Sequence, residues 1–238
     1  MKNKLICKLR GGLGNQMFQY AFARNIADKY NLQLKFDIAD KDFINSKKRI
    51  ELDKLFEIDL EIASRQDYVD LMPFFFKYDF LRATLFRKRF KFLINFYPKQ
   101  ILVEKSLNFS SDYINKASKG CYLNGYWQSY KYLDSYEDVN KLFIWKDIKS
   151  ACVQKFSDDI RKINKSASIH FRRSDYIQND SILNYKRHYS FPLKSNYYLR
   201  CINYLRERNE DMKFFFFSDD IKFAYKFADT HKIDALVI

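Results

Sequence analysis

The sequence predicts an α/β protein built on parallel sheets, and three observations carry that prediction. A strand pattern, a glycine turn, a helical pattern and a second strand pattern follow one another at the front of the chain. Helical and strand patterns alternate again at the back. One rear strand is an uninterrupted apolar run bounded by charge, as expected of a strand covered on both faces.

Residues 4–9 are an apolar-rich run stopped by Arg10-Gly11-Gly12-Leu13-Gly14. Phe18, Ala21, Phe22, Ile26 and Tyr30 then recur at helical spacing, with the strong helix formers Ala23 and Ala27 between them. Leu32, Leu34, Phe36 and Ile38 alternate, which predicts a second strand and completes a β-α-β opening. Residues 40–120 read as an irregular stretch. Its centre mixes aromatics with Lys and Arg around a single acid, Asp79, and such a helix packs either on a core or on a membrane surface. At the back, residues 151–163 are helical in pattern and 167–171 form a strand. Ser195 is placed to cap a helix reaching Arg208, with Tyr198, Cys201, Ile202 and Leu205 on its core face. Residues 214–217, four phenylalanines, are the apolar run; 221–228 return to helix, and 233–238 read as another buried strand. The two alternations divide the chain into residues 1–148 and 149–238.

Composition narrows the class further. A 238-residue chain that is 47% hydrophobic can bury a core of ordinary size. An aromatic share of 18% with only 5 Gly and 3 Pro excludes collagen-like, linker-like and low-complexity chains. The apolar runs fall far short of the roughly 20 residues a bilayer core demands, and the N-terminal apolar stretch is too short for a secretory leader. Cys7, Cys121, Cys152 and Cys201 are scattered, which leaves no zinc knuckle or CxxC pair and fits a reduced, cytoplasmic setting. The net charge of +14 suits nucleic acid, an anionic membrane face, phosphorylated small molecules or simply a Lys-heavy solvated surface.

In open α/β sheets ligands collect at the carboxyl ends of strands, so the residues after each predicted strand carry the functional question. The first such segment is Arg10-Gly11-Gly12-Leu13-Gly14-Asn15-Gln16. Glycines let the backbone approach a ligand, and the helix that follows offers free N–H groups and a positive dipole end. A dinucleotide fingerprint fails at Met17, where a third glycine would stand, although Asp37 is spaced as a ribose-binding acid. A plain strand-to-helix connection explains the glycines equally well. The second segment is His170-Phe171-Arg172-Arg173-Ser174-Asp175-Tyr176. Neighbours on a strand point to opposite faces, so Arg172 and Arg173 serve one ligand only if the chain leaves the strand there. Two guanidiniums so placed suit a diphosphate, with Asp175 able to hold one of them; a surface ion-pair cluster is the alternative. The third is Ser218-Asp219-Asp220, whose carboxylates suit the paired donors of a guanine edge, a metal, or, with Ser218 or Asp219, a helix cap. The one D-x-D triplet, Asp40-Lys41-Asp42, is discounted as a metal motif because such triplets arise readily by chance.

In order, these segments resemble the α-1,2-fucosyltransferases of glycosyltransferase family 11. The run from Gly11 to Ala21, Gly-Gly-Leu-Gly-Asn-Gln-Met-Phe-Gln-Tyr-Ala, is similar to the family's N-terminal signature. Gly125-Tyr126-Trp127-Gln128-Ser129 with Tyr132-Leu133 resembles its internal Gly-Tyr-aromatic-Gln-Ser element. The His170–Tyr176 segment is similar to the H-x-R-R-x-D box shared among fucosyltransferases, and Tyr197-Tyr198 and Phe217-Ser218-Asp219-Asp220 fall in the family's order. The resemblance implies a GT-B-like fold, two Rossmann-like halves with parallel sheets facing a cleft, the first on the acceptor side and the second binding GDP-fucose. It implies GDP-L-fucose as donor, with no metal or other cofactor. His170 and one acid of Asp219 and Asp220 would recognise guanine, and Arg172 and Arg173 the pyrophosphate. Gly12, Gly14 and Asn15 would line the donor side of the glycine turn, Asn15 facing the sugar across the cleft. Arg172, Arg173, Asp175 and Asn15 are the candidate catalytic residues, and neither Asp175 nor His188 stands out as the general base. The implied partners are GDP-fucose and a galactose-terminated glycan or glycolipid, with peripheral contact at the inner membrane face and no nucleic acid.

Two departures from the family stand out. Ser174 replaces a glycine common in bacterial members. Members also continue well past this chain's length, which implies an incomplete C-terminal half. An inactive fucosyltransferase-like protein is therefore the main alternative to an inverting enzyme of surface-glycan or O-antigen synthesis. A basic nucleic-acid-binding protein is opposed by the want of any recognised module. A nicotinamide oxidoreductase built on the glycine turn and Asp37 is opposed by Met17.

Overall fold

The computed structural model describes residues 4–38, 50–71, 100–133, 136–146, 150–173 and 195–238. They fall into two compact units, Met1–Ile148 and Lys149–Ile238.

In the first unit β1 (Lys4–Lys8) runs through the glycine turn into α1 (Leu13–Tyr30) and returns as β2 (Gln33–Asp37). Asn31 ends α1 in the left-handed conformation, a helix stop that Asn tolerates. Short helices α2 (Leu52–Leu55) and α3 (Arg65–Leu71) follow, then β3 (Ile101–Val103), α4 (Ser111–Ala117), β4 (Tyr122–Asn124) and α5 (Tyr136–Leu142). The sheet order is β2-β1-β4-β3, and every pairing is parallel. Successive β1 side chains serve opposite faces. Leu5 and Cys7, with Leu9 just beyond the strand, pack among Phe22, Ala23 and Ile26 of α1, whereas Ile6 packs with Tyr68, Ile101 and Tyr122. That second face also buries charge. Lys4 Nζ meets Asp67 at 2.7 Å, Lys35 joins Asp67 at 3.4 Å and pairs with Glu61 at 2.8 Å.

The stretch 40–120 is not irregular where it is described, since α2, α3, β3 and α4 all fall within it. Elements of three to seven residues leave too few repeats to register as periodicity, and β4 is missed for the same reason. The basic aromatic centre, residues 72–99, lies outside the described residues, as does Asp40-Lys41-Asp42.

The second unit repeats the alternation: α6 (Ala151–Arg161), β5 (Ser166–Phe171), α7 (Ser195–Arg208), β6 (Lys213–Ser218), α8 (Ile221–Thr230) and β7 (Ala235–Val237). Its sheet is parallel, in the order β5-β6-β7. Ile169, Phe171, Phe214 and Phe216 form one face and are covered by Ile202 of α7 and Ala224, Phe227 and Ala228 of α8. Two expectations are corrected. The last strand is three residues long and half exposed, because β7 is a sheet edge and Leu236 points away from the core. Cys201 borders the outer groove with Tyr197, Arg200 and Tyr204, while Tyr198, Ile202 and Leu205 do pack on the core.

Candidate functional site

β5 ends at Phe171, so Arg172 and Arg173 stand beyond the strand, the condition for both to serve one ligand. Phe171 is in register with Ser218 at the end of β6. Ser218 Oγ ties the two ends, donating to the Phe171 carbonyl oxygen at 2.8 Å and accepting the Asp220 N–H at 2.9 Å. The Arg173 backbone N–H donates to Asp219 Oδ1 at 2.7 Å, and its Nε donates to Asp220 Oδ2 at 3.2 Å. The Arg173 guanidinium also lies over the Phe223 ring, 3.7 Å from its centre, a cation–π contact. Phe223 is fixed in turn against Phe171. With Nε and one face held, the remaining donors of Arg173 are its Nη pair, and no described residue takes them.

Asp220 has a second task. Its Oδ1 accepts the Phe223 N–H at 3.1 Å and so caps α8, which corrects the expectation of a cap at Ser218 or Asp219. Arg172 is exposed at the same strand end, and His170 is exposed on the sheet face opposite Ile169 and Phe171. Thus His170, Arg172, Arg173, Asp219 and Asp220 gather at the carboxyl ends of two adjacent strands. Asp175, Ser174 and His188 lie outside the described residues.

The first unit gathers its own group of strand ends. Gly12 precedes α1 in extended conformation without a side-chain cap, and Gly12 and Gly14 are exposed. A Cβ at either would meet nothing within 4 Å, so packing does not require glycine there. Gly11 is different: its φ is +79°, in the region that favours glycine. Buried Gln19 bridges the ends of β1 and β4, its Oε1 accepting the Arg10 N–H at 2.9 Å and its Nε2 donating to the Gly125 carbonyl at 3.1 Å. Glu104, directly after β3, accepts the Tyr126 N–H at 2.6 Å and the Trp127 N–H at 3.1 Å. Arg10 lies over the Tyr126 ring at 4.3 Å. Gln128 Nε2 donates to Asn15 Oδ1 at 2.5 Å. Asp37 is buried and accepts a hydrogen bond from the Tyr122 hydroxyl, so it is a core acid and no ribose ligand. Met17 packs against the first unit's core.

Three contributors escaped the sequence reading. Glu104 follows the apolar triplet Ile101-Leu102-Val103, and the strand-end rule reaches it once that triplet is read as a strand. Phe223 lies three residues after the cap Asp220, one helical turn on, a spacing that returns its ring to the strand ends. The contact between Gln128 and Asn15 spans 113 positions, and no local pattern signals it.

Comparisons with known proteins give the family and the fold. The family described as Glycosyl transferase family 11 matches residues 4–236. An alpha-1,2-colitosyltransferase of Escherichia coli is 34% identical over 227 residues, 94% of this chain and 71% of that relative. The O-antigen biosynthesis glycosyltransferase WbnK of Escherichia coli is 28% identical over 238 residues, covering 72% of its length. Among solved structures, the fucosyltransferase NodZ from Bradyrhizobium aligns over all of this chain and 78% of its own, with a TM-score of 0.52 at 12% identity. That likeness is one of fold, α/β with parallel sheets and GT-B-like. The match runs from β1 to β7, through the glycine turn, the paired arginines and the Ser218-Asp219-Asp220 strand end, and the chain belongs to glycosyl transferase family 11.

Proposed function

We propose that the chain is an inverting glycosyltransferase that moves L-fucose from GDP-β-L-fucose to a galactoside hydroxyl, forming an α-1,2-fucoside in surface-glycan or O-antigen synthesis. The observation that carries the reading is the Arg173 guanidinium, fixed by Asp220 and Phe223 at a strand end with its Nη pair taken by none of the described residues. Arg172 and Arg173 are the diphosphate ligands in this reading. His170 and Asp219 are assigned to guanine, and Asp220 to holding Arg173. Gly12 and Gly14 give the donor room, and Asn15 meets the sugar. Asp175 belongs to the same box and has no assigned step.

The acceptor hydroxyl oxygen attacks the anomeric carbon from the face opposite the phosphate and gives up its proton to solvent, the carbon–oxygen bond to the diphosphate breaks, and GDP leaves. Charge grows on the bridging phosphate oxygen, so donors already in place stabilise the transition state more than the ground state. Two permanent cations supply there what a divalent metal supplies elsewhere, and no metal enters the proposal. The partners are the sugar nucleotide and a galactose-terminated glycan or glycolipid. The proposed location is the cytoplasm, at the inner membrane face; among the described residues no helix is long and apolar enough to cross a membrane.

The identity to a colitosyltransferase supports a second donor, GDP-colitose, whose sugar is L-fucose lacking its 3-hydroxyl. GDP release with each donor and a panel of β-galactosides tests both. A site that hydrogen-bonds the 3-hydroxyl rejects the deoxy sugar by about 10⁴-fold or more, whereas an apolar pocket discriminates by about 10²-fold. Turnover of neither donor with any galactoside contradicts the proposal.

A further inference from the structure

The Gly-Tyr-Trp-Gln-Ser segment has no part in the transfer scheme above, yet its geometry is closely specified. Gln128 is exposed, and its side chain could range through solvent; instead Nε2 donates to Asn15 Oδ1. The loop is shaped to bring it there. Glu104 accepts the N–H groups of both Tyr126 and Trp127. Trp127 adopts φ of 55°, a left-handed backbone that bulky residues take only when their surroundings impose it. Its wholly buried indole, stacked on Phe22 at 4.7 Å and edge-on to Tyr113 at 5.2 Å, imposes it. On the other side of Asn15, a Cβ at position 11 would lie 2.5 Å from Nδ2, so the carboxamide nitrogen occupies space that only glycine leaves. The oxygen is fixed by Gln128 and the nitrogen lies against Gly11.

We infer that Gln128 is a positioning residue, holding the Asn15 carboxamide in one orientation so that its amino group is presented at the glycine turn. The inference rests on the reading of Asn15 as a group that meets the transferred sugar. A donor held in place before the reaction is worth more than one that must be reoriented, and displacements on the order of 1 Å can cost about 10²-fold in rate.

The test is a double-mutant cycle on GDP release from GDP-L-fucose, or from GDP-colitose if that is the better donor, with lactose as acceptor. Asn15→Ala lowers kcat about 100-fold and Gln128→Ala about 10-fold, with the donor KM within about 2-fold of wild type. The double variant is no worse than Asn15→Ala alone, because Gln128 acts only through Asn15. Losses that multiply to about 1,000-fold overturn the inference. Gln128→Glu cannot donate while ionised and turns the carboxamide round, so activity at the wild-type level in that variant also overturns it. A second readout does not depend on turnover. The Asn15 side-chain amide gives one fixed pair of signals in ¹⁵N-labelled wild type and an averaged pair in Gln128→Ala; a pair that stays fixed overturns the inference. Full activity in Asn15→Ala instead overturns the assignment of Asn15 to the sugar, and the amide signals still decide whether Gln128 orients it.

Discussion

Arg173 is held at its backbone N–H, at its Nε and over one face, each time by a residue of the Ser218–Phe223 turn. Such a guanidinium is a fixed donor, and lysine does not reproduce it because an ammonium has neither the planar face nor the fork. Arg173→Lys is therefore expected to lower kcat by roughly 10²–10³-fold, about 2.7–4 kcal/mol in activation free energy, with stability little changed. Steady-state GDP release and a denaturant melt on the same samples check both halves. Gly14 offers the converse case. A Cβ there meets nothing, and the residue lies in the first turn of α1, where alanine is the better helix former. Gly14→Ala is expected to leave stability unchanged or raise it by up to about 1 kcal/mol. It is also expected to cut turnover by crowding the donor. Lower stability with intact turnover would reverse the assignment of this glycine from function to fold.

At the scale of elements, the buried Lys4–Asp67 pair joins β1, the strand that leads into the glycine turn, to helix α3. Burial by itself raises the Asp67 carboxyl, and hydrogen bonds from Lys4, Ser64 and Lys35 outweigh it, holding the group well below the usual carboxylate range. A carboxyl lowered on folding contributes stability at neutral pH that is lost as pH falls below about 4. Asp67→Ala removes the carboxylate that the almost wholly buried Lys4 meets at 2.7 Å, and is expected to cost about 3–5 kcal/mol at pH 7. Urea melts at pH 7 and pH 3.5 check this, since the difference between wild type and variant shrinks at the lower pH. What could be read in advance follows the length of each element. α1, α7, β5 and β6 announce themselves through repeated apolar spacing or an unbroken apolar run, and the positions of Arg172, Arg173 and Asp219 follow from where those strands stop. β3 and β4 have three residues each, and their identity as strands depends on pairing with β1 and with each other across the chain. The contacts that set the site, Glu104 to the 126–127 amides and Gln128 to Asn15, come from those strands and were invisible for that reason.

For the molecule as a whole, the +14 charge has a narrower use than nucleic-acid binding in this account. Two of its arginines sit where an anionic leaving group is proposed, and the other Lys and Arg residues are spread along the sequence. If fixed cations do the work of a metal, transfer proceeds undiminished in about 10 mM EDTA after exhaustive chelation, an expectation that follows from charge compensation by guanidinium donors. Loss of activity on chelation, restored by Mg²⁺ or Mn²⁺, would remove the paired arginines from that role. The relatives it matches are longer, this chain covering 71% and 72% of their lengths. The central question is whether these residues bind a nucleoside diphosphate. Isothermal titration of GDP, with guanosine as the control lacking phosphates, addresses that most directly in wild type and Arg173→Ala. GDP is expected to bind far more tightly than guanosine and to lose about 10–100-fold in affinity on the substitution, the worth of a charge-assisted pair. Equal affinities for GDP in the two proteins would contradict it.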